Sequence, residues 1–254
     1  MPLAATQPDA APHVSHVGGW TLQEFSVVDS TNFAAAKLAA WHAVRADTQT
    51  AGRGRFQRAW VSDAGGLWLS AVVPLGVDRE RWQALPLVAG LAVIQAVKAL
   101  GLTSARLRWP NDIMVHERKL AGLLVDTFTP QLAVVGVGVN VTNHPEAADA
   151  ALKDTCTRLA DLLPQPPSLT ALAQAILASL KSAMDVMTHD GFGPLRPLIN
   201  ELWGGSRRVK LDLDGVERTG CFTGIDDRGR LLFREDTLAL SAFEPHQVRL
   251  LREI

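Results

Sequence analysis

The sequence predicts an α+β fold, a mixed sheet packed with helices and followed by a small all-β unit at the C-terminus. Three observations carry that prediction. Residues 132–141 form a β-branched run that reads as a strand, whereas 86–100 and 168–187 read as helices. After Trp203-Gly204-Gly205 the texture changes to short strands broken by Asp214-Gly215 and Arg228-Gly229. With 254 residues, 47% of them hydrophobic, the chain has room for one main domain and a small satellite, and buries a core without crosslinks.

Residues 1–19 hold Ala, Pro and polar residues, without a basic start or an apolar signal core. They read as a flexible N-terminal tail with no export signal. Residues 25–28 read as a strand running into Asp29-Ser30-Thr31-Asn32, natural N-caps for an Ala-rich helix over 33–42. An extended segment is expected at 43–48. Residues 49–60 show no hydrophobic period and read as a charged Gly/Arg loop.

A strand at 67–73, the helix at 86–100 and a strand at 106–109, ended by Pro110, come next. A hairpin follows, with arms at 113–115 and 119–125 joined by His116-Glu117-Arg118. The apolar stretch 82–97 is shorter than the ~20 residues of a membrane span. Gln83, Pro86 and Gln95 interrupt it, so it reads as a core helix. In the second long helix Leu169, Leu172, Ala173, Ile176, Leu177, Leu180 and Met184 repeat at helical spacing. The main unit therefore spans 20–204, and 205–254 form the β unit, read as an SH3-like barrel.

Composition excludes several classes of function. Lys+Arg number 25 against 26 Asp+Glu, a formal charge of -1, which argues against a dedicated nucleic-acid binder. The β unit mixes Arg207, Arg208 and Lys210 with Asp212, Asp214 and Glu217. Cys156 and Cys221 lie far apart with no ligand pattern around them, so they read as idle thiols in a reducing compartment, and no metal-ligating set can be assigned.

The candidate chemistry lies in five short segments. In Gly52-Arg53-Gly54-Arg55-Phe56-Gln57-Arg58-Ala59-Trp60, glycines let the backbone approach a ligand and three guanidinium forks suit carboxylate and phosphate oxygens. Trp60 offers a face for a flat ring. The segment is neither a dinucleotide fingerprint nor a Walker A loop, and a solvated basic loop is the plainer reading. Arg108-Trp109-Pro110-Asn111-Asp112 ends a strand and aims Asn111 and Asp112 outward, unless it is simply an Asx turn. Lys119 opens the next strand, in a chain with six lysines against nineteen arginines. Gly136 and Gly138 interrupt a buried strand before Asn140, marking either a bulge or a ligand lying across the sheet. Ser30 and Thr31 cap their helix or present hydroxyls to a ligand.

The order Asp-Ser-Thr-Asn, Gln-x-Ala-Gly-Arg-Gly-Arg, Trp-Pro-Asn-Asp, Arg-Lys-Leu-Ala-Gly, Gly-x-Gly-x-Asn over residues 25–143 resembles the biotin–protein ligase family. The resemblance implies a catalytic domain akin to class II aminoacyl-tRNA synthetases. It also implies a reaction in which ATP and biotin, with Mg2+, form biotinyl-adenylate and release pyrophosphate. The acyl group then passes to a lysine on the biotin carboxyl carrier protein domain of acetyl-CoA carboxylase, in the cytoplasm.

By that similarity Ser30, Thr31, Asn32, Gln49, Gly52, Arg53, Gly54, Arg55, Lys119, Gly122, Gly136 and Gly138 would receive biotin. Arg55, Arg58, Trp60, Asn111, Lys119 and Asn140 would receive the nucleotide, with Trp60 packed on adenine. Lys119, Arg53 and Arg55 would neutralise the reacting anions, and Asp112 is a candidate to orient or deprotonate the acceptor lysine.

Two departures stand out: Gln57 replaces a frequent glycine, and Arg108 replaces a lysine. With Ser30 so early, no N-terminal helix-turn-helix is expected, hence no DNA binding; nothing decides between monomer and homodimer. A lipoate or octanoate transferase of related fold is the alternative, but its Arg-Arg-x-Ser-Gly-Gly-Gly loop is absent. The loop 49–60, with like charges and no apolar anchor before Trp60, is expected to stay open until an anionic ligand closes it.

Overall fold

A computed structural model describes residues 11–76, 79–236 and 239–254. The main sheet has eight strands in the order β1-β2-β3-β4-β8-β7-β6-β5. They are β1 (His13–Val17), β2 (Trp20–Val28), β3 (His42–Gln49), β4 (Leu67–Pro74), β5 (Arg106–Arg108), β6 (Asp112–Val115), β7 (Arg118–Thr129) and β8 (Leu132–Val139). Only β2 and β3 run parallel, and the short helix α1 (Thr31–Ala35) makes the crossover between them.

Side chains alternate across this sheet, so each strand serves two faces. Leu67, Leu69, Ala71 and Val73 of β4, with Val135, Val137 and Val139 of β8, join one core. Helices α2 (Leu85–Ala99) and α5 (Leu169–His189) cover that face. α2 is apolar all round, and most of its residues from Leu85 to Val97 are buried, as befits a core helix. On the opposite face only a small cluster forms, of Ala35, Val44, Val72 and Val134. The rest of that face is left for the site. Short helices α3 (Pro145–Ala148), α4 (Leu159–Leu162) and α6 (Leu195–Glu201) complete the unit.

The C-terminal unit is a five-stranded antiparallel sheet, in the order β12-β11-β10-β9-β13. Its strands are β9 (Arg207–Leu213), β10 (Val216–Ile225), β11 (Leu231–Glu235), β12 (Leu240–Phe243) and β13 (Leu250–Glu253). Asp214 and Gly215, both at positive φ, make the tight β9–β10 turn that the sequence predicts. The two units are stitched together. Trp109 Nε1 donates to Gly229 O at 3.0 Å, Trp203 packs edge-on against Phe222, and Glu253 receives Arg106 at 2.6 Å and Arg207 at 2.9 Å.

Three expectations change. Residues 13–17, read as part of a loose tail, pair with β2 as an edge strand; residues 1–10 of that tail lie outside the described residues. The helix expected over 33–42 occupies only Thr31–Ala35, because the chain must turn back into β3 beside β2. There Trp41 is tied to the sheet through its backbone N–H to Val72 O at 2.8 Å. The joint of the β6–β7 hairpin is two residues, His116 and Glu117, both left-handed.

Candidate active site

On the free face of the sheet a cavity of about 510 Å³ opens where the five sequence segments converge. Its floor comes from the middle of β7 and β8. There Gly122 pairs with Gly138, and Leu124 with Gly136. These glycines leave space that other side chains fill. A methyl on Gly138 would lie 2.6 Å from the Trp60 indole nitrogen, and one on Gly122 would lie 3.0 Å from the same ring. A methyl on Gly136 would strike the Asn32 amide. The sheet glycines thus seat Trp60 and Asn32, and Trp60 becomes part of the cavity wall beside the sheet.

One end of the cavity is a polar relay. Ser30 stands at the N-cap position of α1 but makes no side-chain capping bond. The Thr31 backbone N–H donates to Gln49 Oε1 at 2.8 Å, and the Thr31 hydroxyl lies 3.0 Å from the same oxygen. Ser70 Oγ lies 2.7 Å from Thr31 Oγ1 and 2.6 Å from Asn32 Oδ1. Asn32 Nδ2 donates to Asp126 Oδ2 at 2.7 Å, and Gln49 Nε2 to Ser62 Oγ at 2.8 Å. Ser30, Thr31, Asn32 and Ser70 are all buried, so this is an oriented set of donors and acceptors in a low-dielectric wall. Ser70 was not singled out from the sequence. Its signal was a lone hydroxyl in an otherwise apolar strand.

At the other end sits an ion cluster. Lys119 Nζ lies 2.6 Å from Asp112 Oδ1, and Arg108 Nη2 lies 2.8 Å from Asp112 Oδ2. Burial opposes charge on Asp112, but Lys119 and Arg108 outweigh it and hold the carboxyl below the usual carboxylate range. A carboxylate held so by two cations is a poor proton acceptor near neutrality, so its geometry favours pinning Lys119 over acting as a base. The Lys119 backbone is fixed too, its N–H donating to Thr155 O at 2.8 Å and its carbonyl accepting from Thr157 N at 3.0 Å. Cys156 lies alongside, and burial pushes its thiol up, so it stays protonated.

The Gly/Arg segment is no open loop. Trp60 N donates to Gly52 O at 2.9 Å and Gly54 N to Arg58 O at 2.8 Å, with a bridge between Arg53 and Ala59, so it folds as a small two-armed flap. Phe56 and Gln57 form its tip at φ +55° and +58°. A left-handed non-glycine residue costs about 1–2 kcal/mol, so Phe56 and Gln57 hold a strained tip that a glycine would relieve. The expected absence of an apolar anchor is overturned. The Arg53 guanidinium stacks 3.8 Å from the Phe33 ring centroid, and Arg55 sits 4.7 Å from that of Phe56. Arg55 Nη2 also donates to the carbonyls of Pro245 and Val248.

Every residue expected at the site except Gly52 lines this cavity. Gly52 instead packs where a side chain would strike Ser62 and the Trp60 backbone. Asn111 Nδ2 donates to Leu123 O at 2.7 Å, and Asn140, only 2% exposed, directs its amide toward Lys119 O and Asn143. Both amides brace the site's framework from within the cavity lining. Walls the sequence did not mark come from Pro145, Leu152, Asp154 and Thr155, and from Arg249 and Arg252 of the β unit.

Two buried N–H donors on the flap have no partner among the described residues, Arg53 Nε and Trp60 Nε1. Buried polar groups are rarely left so; both residues line the cavity, and Lys119 Nζ is 4.8 Å from the Trp60 ring. An oriented polar pocket at one end and fixed cations at the other define an enzyme site that can hold a polar-headed acid and a second anion together.

Comparison with known proteins agrees. The biotin/lipoate A/B protein ligase family matches residues 25–140. The chain is 34% identical over 230 residues to the biotin–[acetyl-CoA-carboxylase] ligase of Mycobacterium tuberculosis, covering 84% of this chain and 83% of that one. It is 32% identical over 231 residues to the bifunctional ligase/repressor BirA of Bacillus subtilis, covering 86% and 70%. The solved biotin protein ligase of Aquifex aeolicus in complex with biotin and ATP superposes with a TM-score of 0.81 at 27% identity, covering 92% and 99%. The chain belongs to the biotin/lipoate A/B protein ligase family.

Proposed function

We propose that this protein is a biotin–protein ligase, joining biotin to ATP as biotinyl-adenylate and passing the biotinyl group to a lysine of the carrier domain of acetyl-CoA carboxylase. The observation that carries this reading is the placement of Lys119, pinned by Asp112, opposite the Thr31–Asn32–Ser70–Gln49 relay across one cavity. The relay matches a urea, which has both donors and an acceptor to satisfy when buried. A cavity of about 510 Å³ is the size that encloses one elongated small ligand.

In this reading biotin lies with its ring system at the relay and its carboxylate toward Lys119. Attack of that carboxylate on the ATP α-phosphorus brings two anions together, so the protein's work is alignment and charge neutralisation. Lys119 Nζ bridges carboxylate and phosphoryl oxygens. Arg53 Nε and Trp60 Nε1 find their missing acceptors in the ligand, and the exposed Arg58 meets the phosphates at the flap's outer arm. Asp112 positions Lys119, and Arg108 holds Asp112 from behind; the arginine's fork allows that contact at the position where a lysine is frequent.

Among the described residues no group of three or more His, Cys, Asp or Glu side chains is placed to hold a metal. The magnesium of the reaction would arrive with the ATP phosphates, as hard cations bound largely through substrate do. We also read 20–204 as the catalytic unit, with a class II synthetase-like sheet, and 205–254 as an SH3-like β unit. The carrier domain is the partner, in place of DNA or a membrane, and free thiols at Cys156 and Cys221 suit the cytoplasm.

The test is transfer. The purified chain, given biotin, MgATP and a carrier domain of acetyl-CoA carboxylase, is expected to add one biotinyl group at a single lysine, read by intact mass and peptide mapping. Labelling with lipoate or octanoate in place of biotin would transfer the assignment to the other branch of the family.

A further inference from the structure

The flap and the C-terminal unit meet at one point, and the contact is built from both sides. The Arg249 guanidinium carbon lies 4.7 Å from the Phe56 ring centroid, the same distance as Arg55. Arg249 is itself held: its Nε lies 2.6 Å from Asp214 Oδ1, and its backbone N–H donates to Asp212 O at 2.8 Å. Arg55, from the flap, donates to the carbonyls of Pro245 and Val248, just before Arg249 in the chain. Burial lowers the Arg55 pKa, yet the group remains a cation at any physiological pH.

These contacts sit at the place in the flap that most needs them. Phe56 and Gln57 hold left-handed backbone that neither residue favours by itself. Within the flap the bridges from Gly52 to Trp60 fix the base, and Arg53 Nη1 reaches Gln57 Oε1 only at 3.4 Å. What holds the tip is a cation–π contact and two hydrogen bonds to another unit.

We propose that Arg249 is a positioning residue for the adenylation step, acting through Phe56. The β unit clasps the flap tip with Arg249 and the carbonyls of Pro245 and Val248, and so keeps the flap base, with Arg53 and Trp60, standing at the cavity beside Lys119 before any ligand arrives. The proposal rests on the adenylation reading for its kinetic consequence but not for its structural one.

The experiment uses the full chain and four variants: Arg249→Gln, Arg249→Lys, Phe56→Leu, and Phe56→Leu with Arg249→Gln. Limited trypsin digestion without ligands measures flap opening by cleavage after Arg53, Arg55 or Arg58. Pyrophosphate exchange measures KM for ATP and kcat separately. Arg249→Gln and Phe56→Leu are each expected to speed flap cleavage by about fivefold and to raise KM for ATP by a similar factor, leaving the thermal midpoint nearly unchanged. The double variant should be no worse than the worse single one, because both remove one contact. Arg249→Lys, which keeps the cation, should recover at least half of the loss.

Wild-type cleavage and KM in both single variants, or effects that multiply in the double variant, would overturn the clasp. Should Arg249→Gln fail to fold, Phe56→Leu, which leaves the β unit untouched, decides. If the wild type shows no biotin-dependent exchange, the functional reading fails while the trypsin arm still judges the clasp.

Discussion

Lys119 Nζ lies 2.6 Å from Asp112 Oδ1, with Arg108 closing on the other carboxylate oxygen at 2.8 Å. The lysine is thus aimed before substrate binds. Lys119→Met removes the only ammonium at the cavity among the described residues and should cut adenylate formation at least about a hundredfold, ~3 kcal/mol of transition-state stabilisation. The fold should survive, since Arg108 still neutralises Asp112. Single-turnover adenylation with a near wild-type rate in a folded variant would remove Lys119 from the mechanism.

The pH behaviour of Asp112 separates positioning from base catalysis. Its carboxyl is held below the ordinary ~3.9, so it is ionised in the folded protein throughout neutral pH. Its stabilisation of Lys119 is present above that value and lost only as pH falls through the depressed folded pKa. Asp112→Asn should therefore slow adenylation about tenfold, and should leave every limb of the rate profile for biotinyl transfer to the carrier lysine in place between pH 6 and 8. A limb in that window that disappears in the variant would restore the role of base.

Gly138 tests whether the sheet glycines exist for Trp60. A methyl there meets the indole nitrogen at 2.6 Å, and a methyl on Gly122 of the neighbouring strand would meet the same ring at 3.0 Å, so the ring must move. Gly138→Ala should cost about 1–3 kcal/mol of ligand affinity by displacing the wall, with a much smaller loss of global stability. Calorimetric titration with biotin measures the first and thermal melting the second. Unchanged affinity would show that the indole can shift freely.

Glu253 links the two units through Arg106 and Arg207, and these cations, outweighing burial, hold its carboxyl below the usual value. A depressed folded pKa means stability that is full above the unfolded value near ~4.3 and lost as pH falls through the folded one. Glu253→Gln should destabilise the protein at pH 7 by about 1–3 kcal/mol, or about 2–4 °C in Tm for each kcal/mol. The difference from wild type should shrink below pH 4. A constant difference down to pH 3 would mean that packing, not charge, joins the units.

Legibility in the sequence followed the range of the interactions. The helix α2 was plain, because an apolar run with so few polar breaks is most simply buried in a core. The convergence of Ser30, Gln49, Lys119 and Gly136 on one cavity was carried by the order of motifs. Edge strand β1 was hidden, since His13-Val14-Ser15-His16-Val17 gains strand character only from pairing with β2. The flap misled in the same way. Its arginines look self-repelling in sequence, but Phe33 takes Arg53, and the carbonyls of Pro245 and Val248, near the opposite end of the chain, together take Arg55. Asn111 and Asn140 also hold the framework, through bonds to Leu123 O and Lys119 O that only the folded geometry makes visible.

The central claim is that one cavity activates biotin with ATP, and pyrophosphate exchange tests it most directly. Labelled pyrophosphate is incubated with the chain, MgATP and, separately, biotin, lipoate or octanoate, with no carrier present. The account predicts incorporation of label into ATP that depends on biotin and on magnesium and is lost in Lys119→Met. Exchange supported by lipoate or octanoate and not by biotin would contradict it.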